Sequence, residues 1–411
     1  MPEMTPRQRV YAALNFSEPD RVPVSFGGTL ATTISECPPD KCVCTELYKF
    51  LELKDFESPA IGPVGNIVSN IDERAMELMR SDLRGVYPNV PTDTFIAEDG
   101  FKIYPFQYGM RIKKVGYYDE WDFINPPMKN VTTLEDIEKY PYWPDSSINI
   151  MDGVEEKAKA LHEKDYFLVG DALLTYFPFN GYGFVSGLEK WLSDMRIRPK
   201  FYHTLAGRFL ETTLSFITQF YSKVGKYLDG AVIYDDLGTQ EAGLMSLKDY
   251  REFYKPYQIE IISAIRKYLK PEAKIFIHSC GSVYQFIQDL IEIGVQVLNP
   301  VQPLAVNMEP RRLKKEFGDS ISFMGGFDVQ YLLPLGTKEE IREGVKKLIQ
   351  TYAPGGGFIF ANSVNIPPET PPENIAAAFD AAKEFGKYPI SKIDGKDYVG
   401  YIKSINFKSK G

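Results

Sequence analysis

From residue 165 onward, short apolar runs alternate with longer amphipathic segments, and this rhythm limits the fold more than any other feature. Asp165-YFLVG-Asp171 reads as a buried strand, followed by helical segments near 186–196 and through 198–225. Gly230-AVIYDD is the next strand, and Ser246 to Tyr268 is its helix, with Ser246 as N-cap. The pattern repeats with Lys274-IFIHSCG and a helix at Val283–Ile293, then Val295-QVLNP and a short helix at Glu309–Phe317. Ile321-SFMGGFD precedes a helix at Lys338–Tyr352, and Gly357-FIFANS precedes one at Pro372–Phe385. Strands separated by helices pair in parallel through right-handed crossovers. At least six such units follow residue 165, and an N-terminal pair would complete a (β/α)8 TIM barrel. The rival, an open doubly wound sheet, usually carries a glycine-rich nucleotide turn after its first strand, and none is present.

The 411 residues show no compositional break that would mark a linker, so one α/β domain is expected. Within it, 1–140 would hold an N-terminal helical and β-hairpin extension with the first units, and 165–390 the main repeats. Thr5-Pro6-Arg7-Gln8 has the form of a capping box with proline at N1. Asn70–Leu83 reads as a helix, and 94–124 as short strands with alternating Tyr and Phe. No stretch resembles a signal peptide or a membrane span, and four cysteines are too few for a disulfide scaffold; a cytoplasmic protein is expected. With 47 Lys and Arg against 55 Asp and Glu, a nucleic-acid surface is not expected.

In a barrel, function sits where strands end and βα loops begin. Those ends read Gly170-Asp171, Asp235-Asp236, His278-Ser-Cys280, Asn299-Pro-Val-Gln302, Gly325-Gly-Phe-Asp328 and Asn362-Ser363, a converging set of polar groups. His278 and Cys280 stand two apart and so share one face of a strand. Imidazole and thiolate suit Zn²⁺; a hydrogen-bonded histidine beside a buried thiol is the plainer alternative. The chain has only two other histidines, His162 and His203, both in helical segments. Asp235 and Asp236 point to opposite faces, and parity does not decide which enters the pocket. Glu241 is a further oxygen ligand candidate. The cluster Tyr176-Phe177-Pro-Phe179-Asn-Gly-Tyr182-Gly-Phe184, rich in Gly and Pro, reads as a loop that could wall a flat ligand or pack on its own barrel.

These stretches resemble the uroporphyrinogen-decarboxylase superfamily, and in particular its corrinoid-dependent methyltransferase branch. The resemblance rests on TPRQRVYAALNFSEPDRVPV (5–24), YDDLGTQEAGLMS (234–246), IFIHSCGSVYQFIQDLIEIGVQVLNPVQ (275–302), FMGGFDVQYLLPLGT (323–337) and APGGGFIFANSVNIPPETPPENI (353–375). It implies a TIM barrel with an N-terminal extension. Decarboxylases of this type carry an arginine-rich N-terminal motif that grips a polycarboxylate; after Arg21 the corresponding stretch, VPVSFGGTLATT, has no arginine. Thiol methyltransferases hold zinc by His-x-Cys and a later Cys; the first two positions fall on His278 and Cys280, the third on Val364. Asp236, Asp235, Glu241 or Asp328 could complete such a site with oxygen, giving a harder zinc suited to polarising an ether.

The resemblance therefore implies a methyltransferase that demethylates a small methoxylated aromatic and passes the methyl group to the corrinoid of a partner protein. Asp236, Asp235 and His278 would be catalytic, with His278, Cys280, Asp236 and Glu241 around a zinc ion. Asp171, Tyr176, Phe177, Tyr182, Asn299, Gln302, Asp328 and Asn362 would line the substrate pocket. Methylcobamide:thiol transfer, a decarboxylase-like lyase and a non-enzymatic corrinoid-protein scaffold are the other readings, and a homodimer is left open.

Overall fold

The computed structural model describes residues 3–35, 43–56, 71–115, 118–122, 124–172, 180–391, 393 and 395–407. Seven parallel strands, Leu83–Val86, Phe167–Gly170, Gly230–Tyr234, Lys274–His278, Val297–Val301, Ser322–Phe327 and Phe358–Asn362, lie side by side in chain order. Their alternation of side chains separates two apolar layers. Leu83, Phe167, Val169, Val232, Phe276, Val297, Met324, Ile359 and Ala361 form an inner cluster. The residues between them, such as Leu168, Ile233, Ile277, Leu298 and Phe360, belong to the outer layer with the helices. Period-two burial on both faces is what a filled parallel barrel requires.

The extended segment around Val24 closes the ring between the last and first strands. Ser25 N–H donates to Phe360 O (2.9 Å), Phe360 N–H to Pro23 O (2.9 Å), and Asp82 N–H to Val24 O (2.8 Å). Pro23 has no N–H to offer, and Val24 N–H turns to the Asp82 carboxylate (2.9 Å), so this eighth stave stays a single bridge rather than a ladder.

The N-terminal end of the barrel is plugged by the helix Pro6–Leu14, capped by the expected Thr5–Gln8 box. Its Val10 and Leu14 join the inner cluster, and Tyr11 meets Phe167 edge-on at 5.1 Å. Each such buried aliphatic side chain stabilises the plug by about 1.5–3 kcal/mol. Between the first and second barrel strands sits a small antiparallel sheet, Phe95–Ile96, Lys102–Tyr104, Met110–Val115 and Tyr118–Trp121, within the span read as short strands.

Three sequence expectations are corrected. The helix expected over 70–83 is only Glu73–Leu78, and Leu83 opens the first barrel strand. Ser246 is the N-cap as read, but a π-turn at Tyr250–Tyr254 interrupts its helix before Lys255–Arg266. Pro256, at N2 of the second part, lacks an N–H for the i−4 carbonyl and forces that local change of hydrogen bonding. Part of the expected aromatic loop is helix, Asn180–Ser186. Gly183 serves close packing there: a Cβ would lie 3.1 Å from both Leu188 and Trp191. Among the described residues, no helix is long and apolar enough to cross a membrane.

Candidate functional site

Four strands carry their inward parity up to or just past their C-terminal ends and deliver polar side chains to the mouth. After Phe167 and Val169 comes Asp171; after Val232 and Tyr234 comes Asp236; after Phe276 come His278 and Cys280; after Val297 comes Asn299. Ligand atoms of Asp236, His278 and Cys280 all lie within 4.8 Å of one another. His278 Nε2 is 3.5 Å from Cys280 Sγ and 3.8 Å from Asp236 Oδ1. On the other side of the ring, His278 Nδ1 faces Asn299 Oδ1 at 3.2 Å. An amide oxygen accepts only, so Nδ1 carries the proton and the Nε2 lone pair points at the thiol and carboxylate.

The loop after Cys280 is held tightly. Cys280 N–H donates to Asp236 Oδ1 (2.7 Å), and Gly281 N–H donates to Gln302 Oε1 (2.9 Å), which also accepts from Gln240 Nε2 (2.6 Å). Gly281 has φ +80°, and a Cβ there would sit 2.5 Å from the carbonyl oxygens of both Gly238 and Thr239. Only glycine allows this crossing of the two strand-end loops.

Burial sets the protonation of the cluster. Desolvation pulls the His278 imidazolium down below its ordinary range, partly offset by Asp236 and the Asn299 hydrogen bond. Burial, then the Asp236 charge, pushes the Cys280 thiol well above its usual value. A neutral imidazole, a thiol and one carboxylate converging on one point form a donor set that a divalent cation suits. A tetrahedral zinc with bonds of about 2.0 Å to nitrogen and 2.3 Å to sulfur separates those two ligands by about 3.5 Å. The observed nitrogen–sulfur spacing already matches, and Asn299 is the outer partner such a histidine normally has. The residues therefore fit zinc, with one coordination position left over.

The other sequence candidates fall in different places. Asp235 turns outward into the helix layer, where it accepts from Gln258 Nε2 (2.8 Å), whose Oε1 in turn accepts from Tyr250 (2.7 Å). Its backbone N–H meets His278 O (2.9 Å), which ties the two strand ends together. Asp235 is thus a positioning neighbour of the cluster, not one of its donors. Glu241 is exposed and stands outside the cluster. Asp171 accepts from the Tyr234 hydroxyl (2.6 Å), and the Tyr234 ring lies 5.2 Å from that of His278.

Tyr182, read as part of a pocket wall, is fully buried away from the mouth, stacked on Tyr202 and bonded to Asp194 (2.9 Å). Asp328 accepts from the N–H groups of Tyr331 and Leu332, and Asn362 Nδ2 from its own strand end donates to Val364 O. Gln302 braces the Cys280 loop, as described. Tyr176 and Phe177 lie outside the described residues. His162 sits at the far end against Arg7 and Tyr227, and His203 stacks on Phe253 at the surface, so neither approaches the cluster. Asn299 was named for the pocket; its role behind His278 has no sequence signal beyond its place on the next strand.

The profile of the uroporphyrinogen decarboxylase (URO-D) family matches residues 174–385, just over half of the chain. The chain belongs to this family. Uroporphyrinogen decarboxylase from Pseudoalteromonas translucida is 23% identical over 265 residues, covering 62% of this chain and 70% of that one. The Pseudomonas syringae pv. tomato enzyme is 26% identical over 270 residues, with the same two coverages. Among solved structures, a methyltransferase from Methanosarcina mazei superposes with a TM-score of 0.61 at 18% identity, covering 93% of this chain and 99% of that one. At that identity the likeness speaks for the fold, and it extends the URO-D barrel over nearly the whole chain.

Proposed function

We propose that this URO-D family protein is a methyltransferase component that takes a methyl group from a small methoxylated, ring-bearing substrate and delivers it to the Co(I) corrinoid of a separate protein. The observation that carries this reading is the convergence of Asp236, His278 and Cys280 on one point at the barrel mouth, with Asn299 fixing the imidazole lone pair toward it. A zinc ion held by these three side chains would supply a Lewis acid for the ether oxygen of the donor. The protein's own groups do the rest. The Asp236 carboxyl lies beside both the thiol and the imidazole, and the Cys280 N–H holds it in place. Tyr234, buried beside His278 with its hydroxyl on Asp171, braces the imidazole from the inner layer. The apolar inner cluster closes the mouth from below, so charges there face a low-dielectric floor on one side. In the transfer the methyl–oxygen bond breaks, its electron pair stays on oxygen as a phenolate, and a new bond forms between carbon and the acceptor cobalt.

The named decarboxylase relatives support a second reading, a lyase acting on a polycarboxylate. Arg21 bears on it: its guanidinium grips Asp82 through two bonds of 2.8 Å at the N-terminal end of the barrel, the end opposite the cluster. Several carboxylates taken out of water need cations to pair with, and Arg21 is committed elsewhere. The deciding experiment mixes the zinc-loaded protein with a Co(I) corrinoid protein and a panel of methoxyphenols and methoxybenzoates. Methylcobamide spectra together with phenol release are expected. No methylcobamide from any donor, with carbon dioxide released from a uroporphyrinogen, overturns the proposal in favour of the lyase.

A further inference from the structure

Among the described residues, the seven barrel strands bury every position but two. One is Lys274, at the N-terminal end of its strand. The other is Gly85, near the mouth end of the first strand. Its opening lies on the inner face, because Arg84 and Val86, which point outward on either side of it, are buried. Leu83 sets that inward parity from within the inner cluster, and Tyr87 continues it, packed against the same cluster yet partly exposed. A Cβ on Gly85 would lie 2.0 Å from the Tyr87 hydroxyl and 2.3 Å from Cζ, so the missing side chain is what lets the ring lie back along the strand. Among the described residues nothing bonds to that hydroxyl, whereas the hydroxyls of Tyr11, Tyr221 and Tyr234 each donate to an oxygen. The surrounding barrel, then the Asp171 charge, push its ionisation well above the usual range, so it stays a hydroxyl. Two strands separate Leu83–Val86 from Lys274–His278 in the ring of eight staves, which sets Tyr87 across the mouth from the Asp236, His278 and Cys280 cluster.

We propose that Tyr87 receives the aromatic ring of the methyl donor, packing its face on that ring and meeting with its hydroxyl a polar substituent on the side away from the methoxy group. This rests on the methyltransferase reading of the same site. An eight-stave barrel is just wide enough to hold one small ligand between facing walls. A methoxy group directed at Asp236, His278 and Cys280 leaves the far side of a six-membered ring facing the opposite wall, where Tyr87 stands. Tyr234 cannot serve, since its ring is buried and its hydroxyl is taken by Asp171. Tyr87 combines an apolar face with one uncommitted polar group at its edge, which holds a flat ring and fixes its rotation.

Two neutral donors separate the face from the hydroxyl: 4-methoxyphenol, with an oxygen opposite the methoxy group, and methoxybenzene, without one. Their binding to zinc-loaded wild type, Tyr87→Phe and Tyr87→Leu is measured by calorimetry with no corrinoid protein present. Tyr87→Phe keeps the ring and is expected to weaken 4-methoxyphenol by about two- to tenfold, the worth of one hydrogen bond, while leaving methoxybenzene unchanged. Tyr87→Leu also removes the flat face and is expected to weaken methoxybenzene by about two- to tenfold and 4-methoxyphenol by more. Zinc affinity is expected to be the same in all three proteins, which a general loosening of the mouth would not allow. With a Co(I) corrinoid protein added, the losses should appear in KM and not in kcat. Folded variants that bind both donors as well as wild type overturn the inference, as does a wild type that binds neither, or a Tyr87→Phe protein that weakens the two donors equally. If Tyr87→Leu folds poorly, the two titrations of Tyr87→Phe decide. Methylcobamide from neither donor, with the binding order kept, tells against the methyltransferase reading and leaves the ring site standing. Methylcobamide from both, with binding indifferent to Tyr87, does the reverse.

Discussion

Replacing Asn299 by leucine removes the acceptor behind His278 while keeping the side-chain volume close. The hydrogen bond is 3.2 Å long and buried, so no solvent molecule takes its place cheaply. Two routes give the size of the effect. Outer partners of metal-ligating histidines are typically worth 10–100-fold in metal affinity, or about 1.4–2.7 kcal/mol. A buried N–H left without an acceptor costs about 1–3 kcal/mol, and the ring can avoid that only by moving its proton to Nε2, where it faces the metal position. The two ranges agree. The assay is zinc titration against a chromophoric chelator at fixed pH, with Asn299→Asp as the variant that keeps an acceptor. Asn299→Leu should weaken zinc binding by about 10–100-fold and Asn299→Asp should restore it. The buried contact from Asn299 Nδ2 to Met324 O is lost as well, so urea unfolding of Asn299→Leu should show a loss of about 1–3 kcal/mol, and zinc affinities are compared where both proteins are folded. A folded Asn299→Leu protein that holds zinc within about twofold of wild type refutes the assigned tautomer and the cluster built on it.

Three other outcomes follow from the same geometry. Asp236→Ala should weaken zinc binding by about 100-fold or more in that titration, whereas Glu241→Ala should leave it unchanged, because only Asp236 reaches the other donors. Gly281→Ala puts a methyl group against two backbone carbonyls at positive φ, and urea unfolding should show a loss of about 2–4 kcal/mol; a loss under about 1 kcal/mol means that the crossing loops are slack. Asp289 accepts from Arg251 and Lys255, which hold its carboxyl below the usual range. A depressed folded pKa stabilises above the unfolded pKa and ceases to do so as pH falls through the folded one. Asp289→Asn should therefore cost about 2 kcal/mol near neutrality, less if the half-exposed Arg251 is well screened, and that gap should close below about pH 4. A full gap persisting at pH 3 contradicts the ion-pair origin.

Much of the barrel could be read from residues alone because its strands are buried on both faces and stand out as apolar runs. Gly230–Tyr234, Lys274–His278 and Phe358–Asn362 are of this kind. Leu83–Val86 is short and follows a helical pattern, so nothing local distinguishes it from a last helical turn. Its partner Phe167–Gly170, far along the chain, makes it a strand. The eighth stave near Val24 is set by contacts with Phe360 and Asp82, which no local pattern reveals. At the site, the i, i+2 spacing of His278 and Cys280 was legible, but the choice between Asp235 and Asp236 was not. That choice depends on Gln258 and Tyr250, which draw Asp235 outward from a helix layer that the strand sequence does not encode. Tyr182 misled for a related reason: the glycines beside it signal a turn locally, yet Gly183 is there for the close approach of Leu188 and Trp191.

The ligand set is open to direct measurement by zinc K-edge X-ray absorption on the metal-loaded protein and on Cys280→Ser. One sulfur at about 2.3 Å with nitrogen and oxygen neighbours at about 2.0–2.2 Å is expected in the wild type, and no sulfur in the variant. A shell with two sulfurs, or with none in the wild type, contradicts a centre built from Asp236, His278 and Cys280.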